Sequence, residues 1–423
     1  MDSPRKLIVG YDLCEEASQI SCFSYKSLEP VPISIRDGEE QYFIPTVLCL
    51  KTSTKQWLFG EEAIACAKDG GGILVDHILE KVTSSEDVEI LGQKISGSSL
   101  LEIFLRRTLN LVKNYFPSEP ITQMVITVPK TEPLYVEKLY EVLSQLGLMK
   151  DRVAIINHPG AYLYYALSQD KALWMNDVGL FDFNKEGLSY YQIRMNRKAK
   201  PMVAEIVKTD YTKELNFTTM KLKKEGKADP GYILDNIVNT AVYRQIITTI
   251  YFTGIGFEGG WAEDTIRELC TGRRAFIGQN LFVTGACFAA KELSGDKKLE
   301  DFILLSDDMV TSYLLLKVYC DTAFKEIPLM EAGENWFEVD HSVEVIVDGE
   351  MNFNIIKKNI MTRETAQLTY PLEQLPEREN RLTRLFIHAT CKDKSFAIVE
   401  IIDLGFGDSY PATGRIAEIT IEI

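Results

Sequence analysis

The first apolar run of the chain, Leu7-Ile8-Val9-Gly10-Tyr11, ends on Asp12, turns through Cys14-Glu15-Glu16 and returns as an apolar strand to Tyr25. The same order recurs downstream, where Val178-Gly179-Leu180-Phe181 delivers Asp182 into the turn Asn184-Lys185-Glu186-Gly187 and a second strand runs on to Arg194. Turn residues between two apolar runs predict a hairpin. Two hairpins with matching aspartates predict related lobes that face one another across a cleft.

Between the hairpins the pattern is mixed. Val31 to Leu50 reads as strands around Arg36-Asp37-Gly38-Glu39-Glu40, and Gln56 to Phe59 as a short strand before a helix over 60–68. Asp69-Gly70-Gly71-Gly72 stops that helix. From Gly97 to Tyr115, Leu101, Phe104, Leu105, Val112 and Tyr115 share one helical face, with Ser98 or Ser99 to cap it and Pro117 just beyond. A strand at Met124–Pro129, a helix at 132–146, a strand at 153–157 and a helix from Pro159 to Leu167 follow. That βαβα order predicts parallel strands in an α/β layer.

After the second hairpin, 204–222 reads as further strand, 221–227 as an exposed loop and Tyr232 to about Ile247 as a long helix. A strand at 249–253, a helix at 261–270 and a tightly packed helix at 281–293 complete the region. Beyond Ser294–Lys298 helical spacing fades. Ser342–Val347, Arg384–Thr390, Phe396–Ile402 and Ala417–Ile423 alternate as short strands, the pattern of an antiparallel β-sandwich.

Length and composition narrow the function. At 423 residues the chain fits two to three domains of about 150 residues each. A net charge of −15 with no long Lys/Arg run argues against a nucleic-acid partner. Eight cysteines with no C-x-x-C pair, and four dispersed histidines, predict reduced thiols rather than a disulfide framework or a metal cluster. Met1–Lys6 leads directly into a strand, and no apolar run is long enough to span a bilayer. The expectation is a soluble, cytoplasmic protein with no membrane partner.

Two features could carry chemistry. Gly254-x-Gly256-x-x-Gly259 follows a strand and precedes a helix, as in a dinucleotide fingerprint. It lies mid-chain with no evident acidic partner for a ribose, and a turn that packs strand on helix explains it as well. Asp12 and Asp182 could orient a hydrated divalent metal from opposite sides of a cleft. Aspartate is also a good turn residue, so it is the matched pair that points to a site.

The order of these segments resembles the seventy-kilodalton heat-shock chaperones, within the actin, sugar-kinase and heat-shock ATPase superfamily. Residues 7–18 and 178–193 are similar to that family's two phosphate loops, and Tyr42–Leu50 to its Ile-Pro-Ser-x-Val strand. Val125–Pro129, the next helix and Ile155–Ala161 follow its stretch between the loops. Thr253–Trp261 resembles the adenosine turn, Val283–Leu293 the Gly-Ala-Ala helix, and Asp301–Asp307 the acidic, leucine-rich linker. The resemblance implies a two-lobed actin-like ATPase fold of paired ribonuclease-H-like lobes. A β-sandwich of the peptide-binding kind follows, and the chain ends where a helical lid would begin. The implied division is lobe I at 1–175, lobe II at 176–299, a hydrophobic linker at 300–307 and the sandwich at 308–423.

Carried residue by residue, the resemblance places nucleotide contacts at Asp12, Leu13, Cys14, Asp182, Asn184, Lys185, Gly254, Gly256 and Phe257, with metal at Asp12 and Asp182. The departures matter more. Where the family has Asp-Leu-Gly-Thr-Thr, this chain has Asp12-Leu13-Cys14-Glu15-Glu16. Where it has Asp-Leu-Gly-Gly-Gly-Thr-Phe-Asp, this chain has Asp182-Phe183-Asn184-Lys185-Glu186-Gly187-Leu188-Ser189. The glycine cradle is gone, the water-polarising aspartate falls at Ser189, the glutamate before Pro159 is His158, and the phosphate-touching lysine falls near Asp76. Glutamates in a phosphate loop that face an anion about 4 Å away repel it by roughly 4 kcal/mol at an effective dielectric near 20. Glutamates turned to solvent or toward a metal do not, so the loop weakens nucleotide binding without excluding it.

No catalytic residue is assigned, and the expected protein is a chaperone-like one that acts by binding, to polypeptide or another protein through the sandwich. ATP or ADP with Mg is expected to bind weakly or not at all. Two alternatives stand beside it: a working ATPase chaperone with substituted residues, and a scaffold that binds no nucleotide.

Overall fold

The computed structural model describes residues 6–36, 40–84, 87–224, 226 and 229–423. The turn expected at Asp37-Gly38-Glu39, the first five residues, and Glu225 and Lys227 of the expected loop lie outside them. The chain divides into two compact units, residues 1–195 with 204–301 and residues 196–203 with 302–423.

The first unit contains two mixed sheets. One is built from β1 (Leu7–Asp12), β2 (Ala17–Ser24), β3 (Glu29–Pro32), β4 (Ile121–Val128) and β5 (Val153–Asn157), in the order β3-β2-β1-β4-β5. The meander β1 to β3 is antiparallel, whereas β4 and β5 continue parallel to β1. The other is built from β6 (Asp177–Asn184), β7 (Gly187–Asn196), β8 (Met202–Asp210), β9 (Ile247–Thr253) and β10 (Arg274–Ile277), in the order β8-β7-β6-β9-β10. Here too the central strand pairs antiparallel with the next in sequence and parallel with the later one.

The registers coincide at the two aspartates. Asp12 lies opposite Gln19 on β2 and Thr127 on β4, and Asp182 lies opposite Ser189 on β7 and Thr253 on β9. The repeated hairpin in the sequence thus corresponds to a repeated strand order.

Around the first sheet lie α1 (Ile78–Thr83), α2 (Gly97–Tyr115), α3 (Pro133–Gln145) and α4 (His158–Ser168). The expected amphipathic helix matches α2, with Ser96 rather than Ser98 or Ser99 as its cap, accepting from the Ser99 N–H. After the second hairpin come α5 (Pro230–Val242), α6 (Glu263–Leu269) and α7 (Leu281–Lys291). Although α7 follows the second sheet in sequence, its Ala286, Cys287, Ala289 and Ala290 pack on Ile8, Phe23 and Val125 of the first. Residues 281–291, expected in the segment 176–299, therefore pack on the first sheet. The approach is close enough that a Cβ on Gly10 would overlap backbone atoms of Val283 and Cys287, and one on Gly285 the backbone of Ala161.

Two expectations differ in detail. Residues 204–222 are not one strand: β8 ends at Asp210, and Asn216 accepts the N–H groups of Thr218 and Thr219 to start a helix at Phe217–Lys224. That helix also takes in the start of the expected loop at 221–227. The expected long helix stops at Val242, because Arg244 adopts a left-handed φ of 56° and Ile247 is already in β9.

The second unit includes the strand Phe302–Leu305 within the expected linker. Its main body is β11 (Ser312–Cys320), β12 (Ala323–Met330), β13 (Asp340–Ile346), β14 (Asn352–Asn359), β15 (Thr365–Pro371), β16 (Arg384–Asp393), β17 (Phe396–Gly405) and β18 (Ile416–Glu422). Two four-stranded antiparallel sheets, β12-β11-β14-β15 and β13-β16-β17-β18, share one core. Leu314, Leu316, Phe353 and Ile355 of one sheet meet Ile387, Ala389, Val399, Ile401 and Ile421 of the other. The period-2 alternation of β17, buried at every second position, follows from packing one face of a pleated strand.

One charge pair is sealed into this unit. Arg378 donates two hydrogen bonds of 2.6 and 2.7 Å to Asp403, which also accepts from the N–H groups of Gly405 and Thr413 and from the Thr413 hydroxyl. These bonds, the guanidinium foremost, hold the Asp403 carboxyl far below its ordinary range. Its stabilisation is complete above about pH 4 and is lost as pH falls through that depressed value. Replacing Asp403 by Ala leaves the arginine buried and unpaired, and should lower the stability of the sandwich by about 3–5 kcal/mol in calorimetry near neutral pH.

Candidate functional site

The ends of β1 and β6 bring most of the candidate residues into one region. At the first, Leu13 is buried and its N–H donates to the Thr127 carbonyl at 2.9 Å. Cys14 Sγ donates to Asp12 Oδ1 at 3.2 Å and lies 3.6 Å from His158 Nε2. His158 Nε2 is itself 2.9 Å from Asp12 Oδ1. His158 opens α4 beside the cap Asn157, which accepts from the Gly160 N–H at 2.7 Å. The imidazole stacks on Phe282 of α7 at 3.9 Å, which fixes the plane of the ring. Burial, followed by the charge of Asp12, pushes the Cys14 thiol well up, so it is a neutral donor and not a ready nucleophile.

The two glutamates do not face an open loop. The Glu15 carboxylate accepts the N–H groups of Leu79 and Glu80 at 3.2 and 3.0 Å, capping α1. Glu16 Oε1 lies 3.1 Å from Lys185 Nζ of the second turn. Of the orientations open to them, one glutamate is held at a helix N-terminus and the other is paired with a lysine. Lys130, just past β4, reaches Glu186 of the second turn at 3.4 Å and forms a second ion pair to that turn. Exposed pairs of this kind contribute about 0–1 kcal/mol each.

At the second aspartate, Asn184 Nδ2 donates to Asp182 Oδ2 at 3.1 Å, and Asn184 Oδ1 accepts the Glu186 N–H at 2.9 Å. The side chain of Asn184 thereby closes its own turn. Gly254, at a left-handed φ of 99°, is bracketed by the Gln279 amide, which accepts from its N–H and donates to its carbonyl. Gly256 lies against the Phe183 ring, where a Cβ would overlap it, and its carbonyl accepts from the Trp261 indole. Phe257 is buried among Phe183, Phe252 and Trp261. The glycine pattern in this chain is a close-packing turn, followed by the seven-residue α6.

Sequence spacing missed one grouping. The dispersed histidines and cysteines predicted no metal cluster, yet Asp12, Cys14 and His158 place their ligand atoms within 4.8 Å of one another. His158 is 146 residues from Asp12, so local spacing carries no trace of the contact.

Two family models together span most of the chain. The chain belongs to the family of unknown function DUF5716. Its C-terminal model matches residues 29–307, and a domain of unknown function, DUF8552, matches residues 309–423. The family boundary falls at the end of the linker expected at 300–307. No curated protein matches the chain. Among the described residues, no helix is long and apolar enough to cross a membrane.

Asp182 carries the clearest electrostatic signature. Burial raises its pKa to about 6, helped by Asp12 and opposed by His158 and the Asn184 hydrogen bond. A carboxyl raised above its unfolded value near 3.9 costs nothing when protonated in both states. The penalty grows between about pH 4 and 6 and reaches about 3 kcal/mol above that window. Asp182→Asn should therefore stabilise the protein by about 2–3 kcal/mol at pH 7.5, with the gain vanishing below pH 4, in denaturant titrations across that range.

Proposed function

We propose that the first unit is an actin-like domain of two ribonuclease-H-like lobes, and that the protein works by binding rather than by hydrolysing nucleotide. The repeated order, an antiparallel meander extended by two parallel strands with an aspartate at the end of each central strand, supports the fold. The second unit, two four-stranded antiparallel sheets, suits the sandwich of a heat-shock-type chaperone.

One observation carries the functional reading: the groups that would meet a triphosphate are partnered among themselves. Asp12 is engaged by His158 and Cys14, Glu16 by Lys185, and Gly254 by Gln279. Phosphoryl transfer needs cations and backbone N–H groups free to neutralise developing charge. In this reading ATP or ADP with Mg binds weakly at most. The interlocked turns also favour a second reading, a scaffold whose cleft takes no nucleotide.

Binding to polypeptide finds support at the tip of the β11–β12 hairpin. Asp321 and Thr322 both take left-handed φ values, 51° and 67°, as a tight type I′ turn requires. That turn presents Tyr319 and Phe324, 67% and 68% exposed, as an edge-to-face pair with centroids 5.3 Å apart. Exposed aromatic pairs suit apolar side chains of an unfolded chain.

Purified protein should show no multiple turnover of ATP, and Asp12→Ala should leave that baseline unchanged. ATP turnover abolished by Asp12→Ala would reject the proposal. A magnesium–ATP melting curve separates the two readings, because a ligand of the folded state raises the melting temperature. In fluorescence anisotropy with a labelled, permanently unfolded polypeptide, the double variant Tyr319→Ser, Phe324→Ser should bind at least about tenfold more weakly. Equal affinity would remove the hairpin from the binding surface.

A further inference from the structure

The grouping at the end of β1 has the composition and dimensions of a metal centre. The Cys14 Sγ to His158 Nε2 distance is 3.6 Å, Cys14 Sγ to Asp12 Oδ1 is 3.2 Å, and His158 Nε2 to Asp12 Oδ1 is 2.9 Å. A tetrahedral zinc ion with bonds of about 2.3 Å to sulfur and about 2.0–2.1 Å to nitrogen and oxygen sets its ligands about 3.3–3.6 Å apart. Each edge of the observed triangle is within about 0.4 Å of that requirement. Stacking on Phe282 and the start of α4 hold the imidazole, and the end of β1 holds the carboxylate, so little rearrangement is needed.

A second observation points the same way. Thr127, in register beside Asp12, buries a hydroxyl that has no hydrogen-bond partner. Buried hydroxyls are seldom left so.

We propose that Asp12, Cys14 and His158 bind a borderline transition-metal dication, with Zn²⁺ as the type, and leave one coordination position to water. The donor set of thiolate, imidazole and a single carboxylate favours such an ion over magnesium, which takes oxygen ligands. On binding, the Cys14 S–H bond breaks, its proton leaves to solvent, and the sulfur lone pair forms the bond to the metal. The inference needs no nucleotide, so it stands or falls separately from the question of ATP hydrolysis.

Cobalt(II) titration of the full-length, reduced protein tests it. One equivalent should produce tetrahedral visible absorption together with a thiolate-to-cobalt charge-transfer band. Zinc should displace the cobalt, whereas a large excess of magnesium should not. Cys14→Ser should abolish the charge-transfer band, and His158→Gln should weaken cobalt binding at least about a hundredfold, beyond the effect typical of an outer-shell change. Melting curves of the metal-free variants confirm that they are folded. The double variant Cys49→Ser, Cys66→Ser, which removes two thiols that adjoin each other at Gly72, should keep the band. The proposal is overturned by a folded wild type with no band at one equivalent, by a band that survives Cys14→Ser, by undiminished affinity in His158→Gln, or by displacement with magnesium.

Discussion

One short segment, Gln279 to Phe282, ties together the neighbours of both central strands. Gln279 brackets Gly254 beyond β9, Asn280 accepts from the Gln19 amide on β2 at 2.8 Å, and Phe282 stacks on His158. The helix that starts at Leu281 then lies on β1, where Gly10 and Gly285 admit it at backbone distance. Each contact alone is worth little, since a net hydrogen bond contributes about 1 kcal/mol. Their effect is geometric: one short segment touches β2, α4 and the turn after β9. The orientation of the His158 imidazole beside Asp12 follows from it.

The same constraint explains why the polar groups at the ends of β1 and β6 satisfy one another. Once α7 sets the imidazole plane, His158 Nε2 meets Asp12, and the Cys14 thiol is drawn into the same carboxylate. Glu15 finds the free N–H groups of α1, and Glu16 finds the lysine of the opposite turn. A loop built for phosphate leaves its N–H groups unpaired until the ligand arrives. Here the side chains of these turns bring their own partners, and Glu16 of one pairs with Lys185 of the other.

Where pattern is local, the sequence was legible. The helix at Gly97–Tyr115 and the strand at Val153–Asn157 follow from spacing and caps alone, and the sandwich strands from period-2 alternation. The matched aspartates were visible because each ends an apolar run. The rest required contacts between distant residues. Nothing near Glu15 announces that it caps a helix at Ile78, since that six-residue helix has too little periodicity to be read. Nothing near His158 announces Phe282. The small residues of Val283–Ala290 told of close packing, but not that the partner would be the first strand of the chain.

Asp182 is the residue hardest to explain as architecture. The buried charge of the sandwich, Asp403, is answered by a bidentate arginine and three further donors, and its ionised form is strongly favoured. Asp182 has one amide hydrogen bond, a neighbouring aspartate and a carboxyl raised to about 6. A fold seeking only stability gains nothing from such a group, because an asparagine could make the same bond without the desolvation penalty. Local choices that oppose stability concentrate where a protein acts on something. The two buried aspartates are thus treated unequally: the sandwich one is matched by a cation and donors, whereas Asp182 keeps a desolvation penalty that its single amide bond does not offset.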